Sequence, residues 1–199
     1  MLMDLPPHLH ERVVCSISAA VKFNVPVNVI LAVAEQEGGK PGQWVKNANG
    51  THDVGAMQFN TAYLKTELNR YGITPADVAA SGCYSYELAA WRIKRHIDND
   101  NGDLWTKVAN YHSRTPLYNT EYRNKLVVKA ARWKTWLASR FVIEEMQSVR
   151  NASSFQTPKV YEVQSRTKVE PKASINSVSY QKINERFVYT PREITSISQ

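Results

Sequence analysis

Residues 27–39 read VNVILAVAEQEGG, an apolar helical pattern that ends in two glycines. At 3.6 residues per turn, Glu35 lies on the polar side of this helix. Glu37 follows Ile30 by seven residues and Val33 by four, so it lies on the apolar side. The stretch therefore predicts a buried helix that directs one carboxylate toward the core.

A carboxylic acid in that place has the chemistry of a proton donor. Burial disfavours the carboxylate anion, and the negative end of the helix dipole lies at the same C-terminal turn, so both effects raise the pKa of Glu37. An acid that stays protonated near neutral pH can protonate a leaving group. The alternative is a frayed last turn, which would let Glu37 reach water as an ordinary surface acid.

Helical periodicity and helix-ending residues continue along the chain to about residue 141. Pro26 precedes the second helix and Gly72 ends a later one, whereas residues 39–54 are rich in Asn and Gly and predict a loop. No pair of strands stands out, so the predicted class is all-α with long loops. The predicted helices are His10–Phe23, Val27–Glu37, Asn60–Tyr71, Thr74–Ala79, Tyr84–Asp98, Asp103–His112 and Leu117–Phe141.

The last quarter of the chain has a different composition. From residue 150 to residue 199, Ser, Thr, Asn and Gln contribute 19 of 50 residues, and there is no tryptophan or glycine. We therefore divide the chain into a helical domain over residues 1–140 and a polar, disordered C-terminal tail over residues 141–199. Two alternating stretches, at 160–163 and 187–189, could add as strands to a partner's sheet edge; the alternative is a solvated tail without a partner.

The charge balance favours an acidic partner without identifying it. The 199 residues carry a formal net charge of +7, which suits nucleic acid, an anionic envelope polymer or a membrane surface. Residues 121–140 hold six basic residues and one acidic residue, although a solvated helix face gives the same pattern. No stretch approaches the roughly 20 apolar residues of a membrane-spanning helix, and residues 1–7 lack the basic start of a signal peptide.

The two cysteines, Cys15 and Cys83, are too few for a disulfide scaffold and lack metal-ligand spacing. A single disulfide and two buried thiols are both compatible with the sequence.

Three stretches together resemble the signature motifs of the lytic transglycosylases, which cleave peptidoglycan. They are AEQEGG at residues 34–39, DVGAMQFN at residues 53–60 and VANYHS at residues 108–113. Their order and spacing, with Asn49-Gly50-Thr51 ahead of the second motif and Tyr122 after the third, resemble most the branch attached to type IV secretion, conjugal transfer and pilus systems. The resemblance covers about residues 13–136 and implies a lysozyme-like helical fold.

The resemblance also implies roles for individual residues. Glu37 would be the catalytic acid, Met57 and Gln58 would line the glycan cleft, and Tyr111 would hydrogen-bond Glu37 and orient it. Asn49, at a place where many relatives carry serine, would contact an acetamido group of the glycan.

In the same branch, a cysteine of the first helix tends to pair with one ahead of a later helix, which implies a disulfide between Cys15 and Cys83. Such a bond persists in an oxidising compartment, so the implied location is the periplasm or cell envelope. The implied partners are peptidoglycan strands and, through the tail, channel proteins of a secretion or conjugation apparatus. The sequence calls for no cofactor or metal ion, and nucleic acid is not an expected partner because the basic residues form no known motif.

The implied reaction uses one carboxylate where ordinary glycosidases use two. Glu37 would protonate the oxygen between N-acetylmuramic acid and N-acetylglucosamine and then accept the proton of the muramic 6-hydroxyl, which gives a 1,6-anhydro product. Two alternatives stay open. Asp53 could activate water and make the protein a hydrolytic muramidase, or it could cap the turn into Gly55. The protein could also be a non-catalytic glycan-binding assembly factor.

Overall fold

The computed structural model describes residue 5 and residues 7–145 and 187–191. Most of these residues are helical, as the predicted all-α, lysozyme-like class requires, and that prediction is confirmed. The elements are α1 (Pro7–Phe23), α2 (Val27–Glu37), β1 (Trp44–Lys46), β2 (His52–Val54), β3 (Phe59–Asn60), α3 (Thr61–Tyr63), α4 (Pro75–Ala79), α5 (Tyr84–Asn99), α6 (Leu104–Ala109), α7 (Pro116–Arg140), β4 (Phe141–Glu145) and β5 (Phe187–Pro191).

Helix α2 is the centre of the core. Val27 and all residues from 29 to 34 are buried, and the helix packs against α1, α5 and α7. Fully burying side chains such as Ile30 and Leu31 stabilises the fold by about 1.5–3 kcal/mol each. A helix held on several sides keeps its last turn in place, and that turn carries Glu37.

A small sheet follows α2, so the expectation that the domain has no strand pair is wrong. Strands β1 and β2 are antiparallel with Val45 opposite Asp53, and β3 joins β2 with Val54 opposite Phe59. All three residues of β1 are exposed, so the strand lacks the alternation of buried and exposed residues that would reveal it in the sequence.

The helix predicted over residues 60–71 is a composite of three short pieces. Helix α3 continues into a π-helical turn at Leu64–Leu68 and a 3₁₀ turn at Asn69–Tyr71. The Asn60 side chain accepts a hydrogen bond of 2.9 Å from the backbone N–H of Ala62 and so caps the first piece.

Helix α7 is 25 residues long and ends at Arg140, one residue before the predicted end. It packs along α2 and α6. Within the part of the chain that the structure describes, no helix has both the length and the apolar character needed to cross a bilayer.

A disulfide joins Cys15 of α1 to Cys83 at the start of α5, across a sequence separation of 68 residues. The pairing implied by the family resemblance is therefore present, and the alternative of two buried thiols is wrong. The bond fixes α1 to α5, the two helices that flank α2.

Asp100 ties the end of α5 to the segment that follows α6. Its carboxylate accepts hydrogen bonds of 2.7 Å from the side chain of Asn110 and 3.1 Å from Arg114. Although burial favours the neutral acid, these bonds and the contact with His96 lower the pKa of Asp100 to about 2. Since Asn110 directly precedes Tyr111, this network holds the third sequence motif in place.

The C-terminal strands pair with each other within the chain. β4 and β5 are antiparallel, with Ile143 opposite Tyr189. Residues 187–189, expected to extend the sheet of a partner, therefore already have a partner strand in their own chain. Residues 146–186 lie outside the described residues, as does the alternating stretch at 160–163, so the predicted disordered tail is described only at its two strands.

Candidate active site

Two glycines turn the chain sharply after Glu37. Gly38 adopts the left-handed conformation, with φ of 63°, and its N–H donates to the carbonyl of Ala34 at 3.1 Å, so the last turn of α2 is intact. Gly39 approaches the β2–β3 turn so closely that an added Cβ would lie 2.2 Å from the carbonyl oxygen of Gly55. The alternative of a frayed helix end is therefore wrong, and Glu37 is held against the small sheet.

The Glu37 carboxyl group lies where an acid keeps its proton. Burial raises its pKa to about 7, against the hydrogen bond from Tyr122, which lowers it. The negative charge of Asp53 raises the pKa further, and the positive charge of Arg92 lowers it. A group with this pKa is present in both protonation states near neutral pH, which suits one residue acting as acid and then as base.

Tyr122 of α7 is the residue that holds the Glu37 carboxyl group. Its hydroxyl donates a hydrogen bond to Oε1 of Glu37, and its ring is buried. The imidazole of His112 stacks on that ring with centroids 4.8 Å apart and planes 5° from parallel. Burial lowers the pKa of His112, which favours the neutral ring and the stack. His112 therefore supports Tyr122 by packing.

Tyr111 does not make the hydrogen bond to Glu37 that the family resemblance implied. Its hydroxyl donates to the carbonyl oxygen of Met57 at 2.8 Å, and its ring packs edge-on against Phe59. Tyr111 thus fixes the backbone of the second sequence motif, while Tyr122 takes the place expected for it. One feature of the sequence agrees with this arrangement. Tyr122 lies four residues before Leu126, so both side chains share the buried face of α7 that packs toward the core.

Of the two residues of the second motif that were expected to line the glycan cleft, only Gln58 reaches the surface. Met57 is fully buried, so its side chain belongs to the core and does not line a cleft in this structure. Gln58 is partly exposed and has a positive φ of 48°, and its side-chain amide donates to the carbonyl of Gly55 at 2.8 Å. The amide of Gln58 stabilises the turn and lies near enough to the surface to meet a ligand.

Asp53 lies in β2 and faces the same region as Glu37. Its Oδ1 accepts a hydrogen bond of 2.8 Å from the side-chain amide of Asn60, which fixes the carboxylate. Asp53 interacts electrostatically with both Glu37 and His112 and raises the pKa of each. The expected cap of the turn into Gly55 is not formed, because the Gly55 N–H donates to the carbonyl of Gln43 at 2.9 Å and the Asp53 carboxylate accepts from Asn60.

Asn49 lies at the exposed tip between β1 and β2. Its side-chain oxygen accepts hydrogen bonds from the backbone N–H of Thr51 at 3.1 Å and from the Thr51 hydroxyl at 2.7 Å. The side chain therefore shapes its own turn.

Arg92 of α5 acts electrostatically on the candidate acid, and no motif in the sequence singles it out. Its guanidinium carbon lies 4.0 Å from the ring centroid of Tyr63 and 4.6 Å from that of Tyr111, so the cation is held between two aromatic rings. Among the described residues, no carboxylate forms an ion pair with Arg92, and its buried Nε has no hydrogen-bond partner. The positive charge of Arg92 acts on Glu37, whose pKa it lowers.

A cavity of about 150 Å³ opens beside Glu37. It is lined by Gln36, Glu37, His112, Tyr118, Glu121, Tyr122 and Lys125. The cavity gives a ligand access to the candidate acid from the side of α7.

Comparison with known proteins gives matches over this same part of the chain. Residues 14–124 match the family model described as the transglycosylase SLT domain. Over 116 residues the chain is 28% identical to the invasion protein IagB of Salmonella typhimurium, which covers 58% of this chain and 71% of that protein. Over the same length it is 30% identical to protein IpgF of Shigella flexneri, with 58% and 74% covered. Tyr122, Asp53 and Arg92, the described residues that act on Glu37, lie within the matched range.

Proposed function

The chain belongs to the transglycosylase SLT domain family, and from this premise we propose that it is a lytic transglycosylase of peptidoglycan with Glu37 as its catalytic acid. The observation that carries the proposal is the state of Glu37. Its carboxyl group is desolvated, has a pKa of about 7, accepts a hydrogen bond from Tyr122 and borders an open cavity.

In the first step, protonated Glu37 gives its proton to the oxygen that joins N-acetylmuramic acid to N-acetylglucosamine. The bond from the anomeric carbon of the muramic residue to that oxygen breaks, and positive charge develops on the sugar ring. The Tyr122 hydroxyl and the charge of Arg92 stabilise the Glu37 carboxylate that this step leaves behind.

In the second step, the Glu37 carboxylate takes the proton of the muramic 6-hydroxyl as that oxygen bonds to the anomeric carbon. The product is a 1,6-anhydro sugar, no water is consumed, and Glu37 is protonated again. Because the attacking hydroxyl belongs to the same sugar, its effective concentration is high and a second catalytic carboxylate is not required.

Other residues contribute by position. We propose that Gln58 and Asn49 contact the glycan, since their polar side chains lie partly or fully at the surface. Met57 and Tyr111 support this surface from behind, because the Tyr111 hydroxyl holds the Met57 carbonyl and both side chains are buried.

A hydrolytic muramidase is the second candidate, because Asp53 lies close enough to Glu37 to affect its pKa. A second carboxylate across the cleft could take a proton from water instead of the 6-hydroxyl. Digestion of purified peptidoglycan separates the two reactions. Products with anhydro ends, lighter by one water than hydrolysis products, support the transglycosylase, whereas hydrated ends support the muramidase.

We propose that the cleavage opens the wall locally for a secretion or conjugation apparatus in the periplasm or cell envelope. The disulfide supports an oxidising compartment, and the similarity to a protein described as an invasion protein supports the link to an apparatus. We also propose that residues 1–140 form the catalytic unit and that residues 141–199 contact channel proteins, since the described residues that act on Glu37 all precede residue 140. A chain truncated after residue 145 should then keep its activity on purified peptidoglycan and lose its effect on transfer in cells.

A further inference from the structure

Three of the basic residues on α7 form a stripe beside the candidate acid. Lys125, Lys129 and Arg132 follow one another at helical spacings of four and three residues and so share one face. A shallow groove of about 510 Å³ runs along this stripe. The groove is lined by Gln36, Asn124, Lys125, Val128, Lys129 and Arg132, and we call it the α7 groove.

The α7 groove is continuous with the cavity beside Glu37, because Gln36 and Lys125 line both. A molecule whose scissile bond lies at Glu37 can therefore extend a branch along α7. From Tyr122 to Arg132 the helix rises by about 15 Å.

The lining of the α7 groove carries three cations and no carboxylate. Lys129 and Arg132 share a single acid, Glu35, and Lys125 pairs with Glu121 in an arrangement exposed to water. The side chains of Lys125 and Arg132 are 52% and 64% exposed, so their present ion pairs are weak and can exchange for another carboxylate.

An apolar contact accompanies these charges. Val128 is 63% exposed between the two most exposed cations of the groove. The combination of cations along one line and an exposed aliphatic side chain suits an extended peptide with several carboxylates.

We propose that the α7 groove binds the carboxylate-bearing stem peptide that hangs from the muramic acid of the substrate. This proposal rests on the proposed function and names the part of peptidoglycan that the site would recognise besides its sugars. An extended peptide of about four residues spans roughly 13–14 Å, which fits the rise of about 15 Å along α7 from Tyr122, beside the candidate acid, to Arg132. The protein would then prefer strands that carry peptides over bare glycan.

Binding can be measured with soluble, uncrosslinked glycan strands that carry stem peptides and with the same strands after an amidase has removed the peptides. The protein is the full chain with Glu37→Gln, so that no turnover occurs during calorimetry. Adding Lys125→Gln and Arg132→Gln is expected to weaken binding to the peptide-bearing strands by about 3- to 10-fold at low salt. Binding to stripped strands should be unchanged.

The matched control is the pair Lys65→Gln and Lys134→Gln, which removes two exposed cations elsewhere and changes the net charge equally. It should bind both strands as the parent does. The conservative pair Lys125→Arg and Arg132→Lys should restore binding, which separates a charge effect from a packing defect at Glu35. Raising the salt to about 0.5 M should remove most of the advantage of the peptide-bearing strands.

Equal weakening on both kinds of strand, or no weakening on peptide-bearing strands, would overturn the proposal. So would tighter binding of a short DNA duplex than of peptide-bearing strands at the same salt, since the groove would then be a nucleic-acid site. The binding measurements do not depend on cleavage, because they use the Glu37→Gln chain. If the wild-type chain releases no anhydro ends, the proposed function fails, and the calorimetry still decides what the α7 groove binds.

Discussion

The hydroxyl of Tyr122 donates a hydrogen bond to the carboxyl group of Glu37 across 85 residues of sequence. This contact joins the last turn of α2 to the first turns of α7. It is the polar link between the candidate acid and the helix that also carries the α7 groove. A substitution at Tyr122 therefore tests the role of the acid while Glu37 itself is kept.

Tyr122→Phe should move the basic limb of the pH profile of kcat/KM to higher pH. The hydrogen bond from Tyr122 lowers the pKa of Glu37, so its loss raises that pKa and keeps the acid protonated further into the alkaline range. The carboxylate formed in the first step loses a donor, and the maximal kcat/KM should fall roughly 10- to 100-fold. Phe preserves the stack on His112, and an unchanged pH profile would contradict the role given to Tyr122.

Arg92→Met and Asp53→Asn should shift the same limb in opposite directions. Arg92 lowers the pKa of Glu37 and Asp53 raises it, so removing the cation moves the limb up and removing the carboxylate moves it down. Arg92→Lys keeps the charge and should shift the limb less than Arg92→Met. Shifts of the same sign in both variants would show that the two charges do not act on Glu37.

The Asp53→Asn variant also decides between the two reactions. If its products still carry anhydro ends at a rate within about tenfold of the wild type, Asp53 tunes the acid and takes no proton from water. If hydrated ends dominate in the wild type and disappear in the variant, the protein is a muramidase.

Glu37→Gln should abolish cleavage and stabilise the fold above neutral pH. The pKa of Glu37 is raised in the folded state, so the folded protein binds more protons than the unfolded chain between about pH 4.5 and 7 and loses stability as pH rises through this window. The Gln variant lacks this loss, which amounts to roughly 3–4 kcal/mol for a pKa raised from 4.5 to about 7. Chemical denaturation of both proteins at pH 4 and pH 8 measures it, and an equal decline in both would contradict the assignment of the buried acid.

Replacing both cysteines by alanine should lower the free energy of unfolding by roughly 4 kcal/mol, since the disulfide closes a loop of 68 residues. Urea denaturation of the oxidised protein and of the variant measures the difference. The wild-type protein under reducing conditions is the control and should behave like the variant. The activity of the folded alanine variant should be little changed, because neither cysteine interacts with Glu37.

The helices and the unusual place of Glu37 could be predicted from the sequence because both depend on local periodicity. An acid seven residues after Ile30 and four after Val33 must share their face of α2. The disulfide could be predicted only through the family resemblance, because the positions of two cysteines in a sequence do not show whether they lie close together in the fold. The catalytic role of Glu37 stays a prediction.

The parts that the sequence could not supply depend on contacts between distant elements. Strand β1 is exposed at every position and pairs with β2 only in three dimensions. Arg92 has the sequence signature of an ordinary helix cation, and only the packed structure places it between Tyr63 and Tyr111. The hydroxyl of a core tyrosine such as Tyr122 can point in several directions, so its partner could not be deduced from the spacing of α7.

The raised pKa of Glu37 makes the proposed proton donor a property of the folded state alone. In an unfolded chain Glu37 has the ordinary pKa of a glutamate, about 4.5, and is ionised at neutral pH. It gains its proton only when α7 docks on α2 and water leaves the end of the helix. A newly made or partly folded chain therefore lacks the protonated carboxylic acid that the proposed cleavage needs.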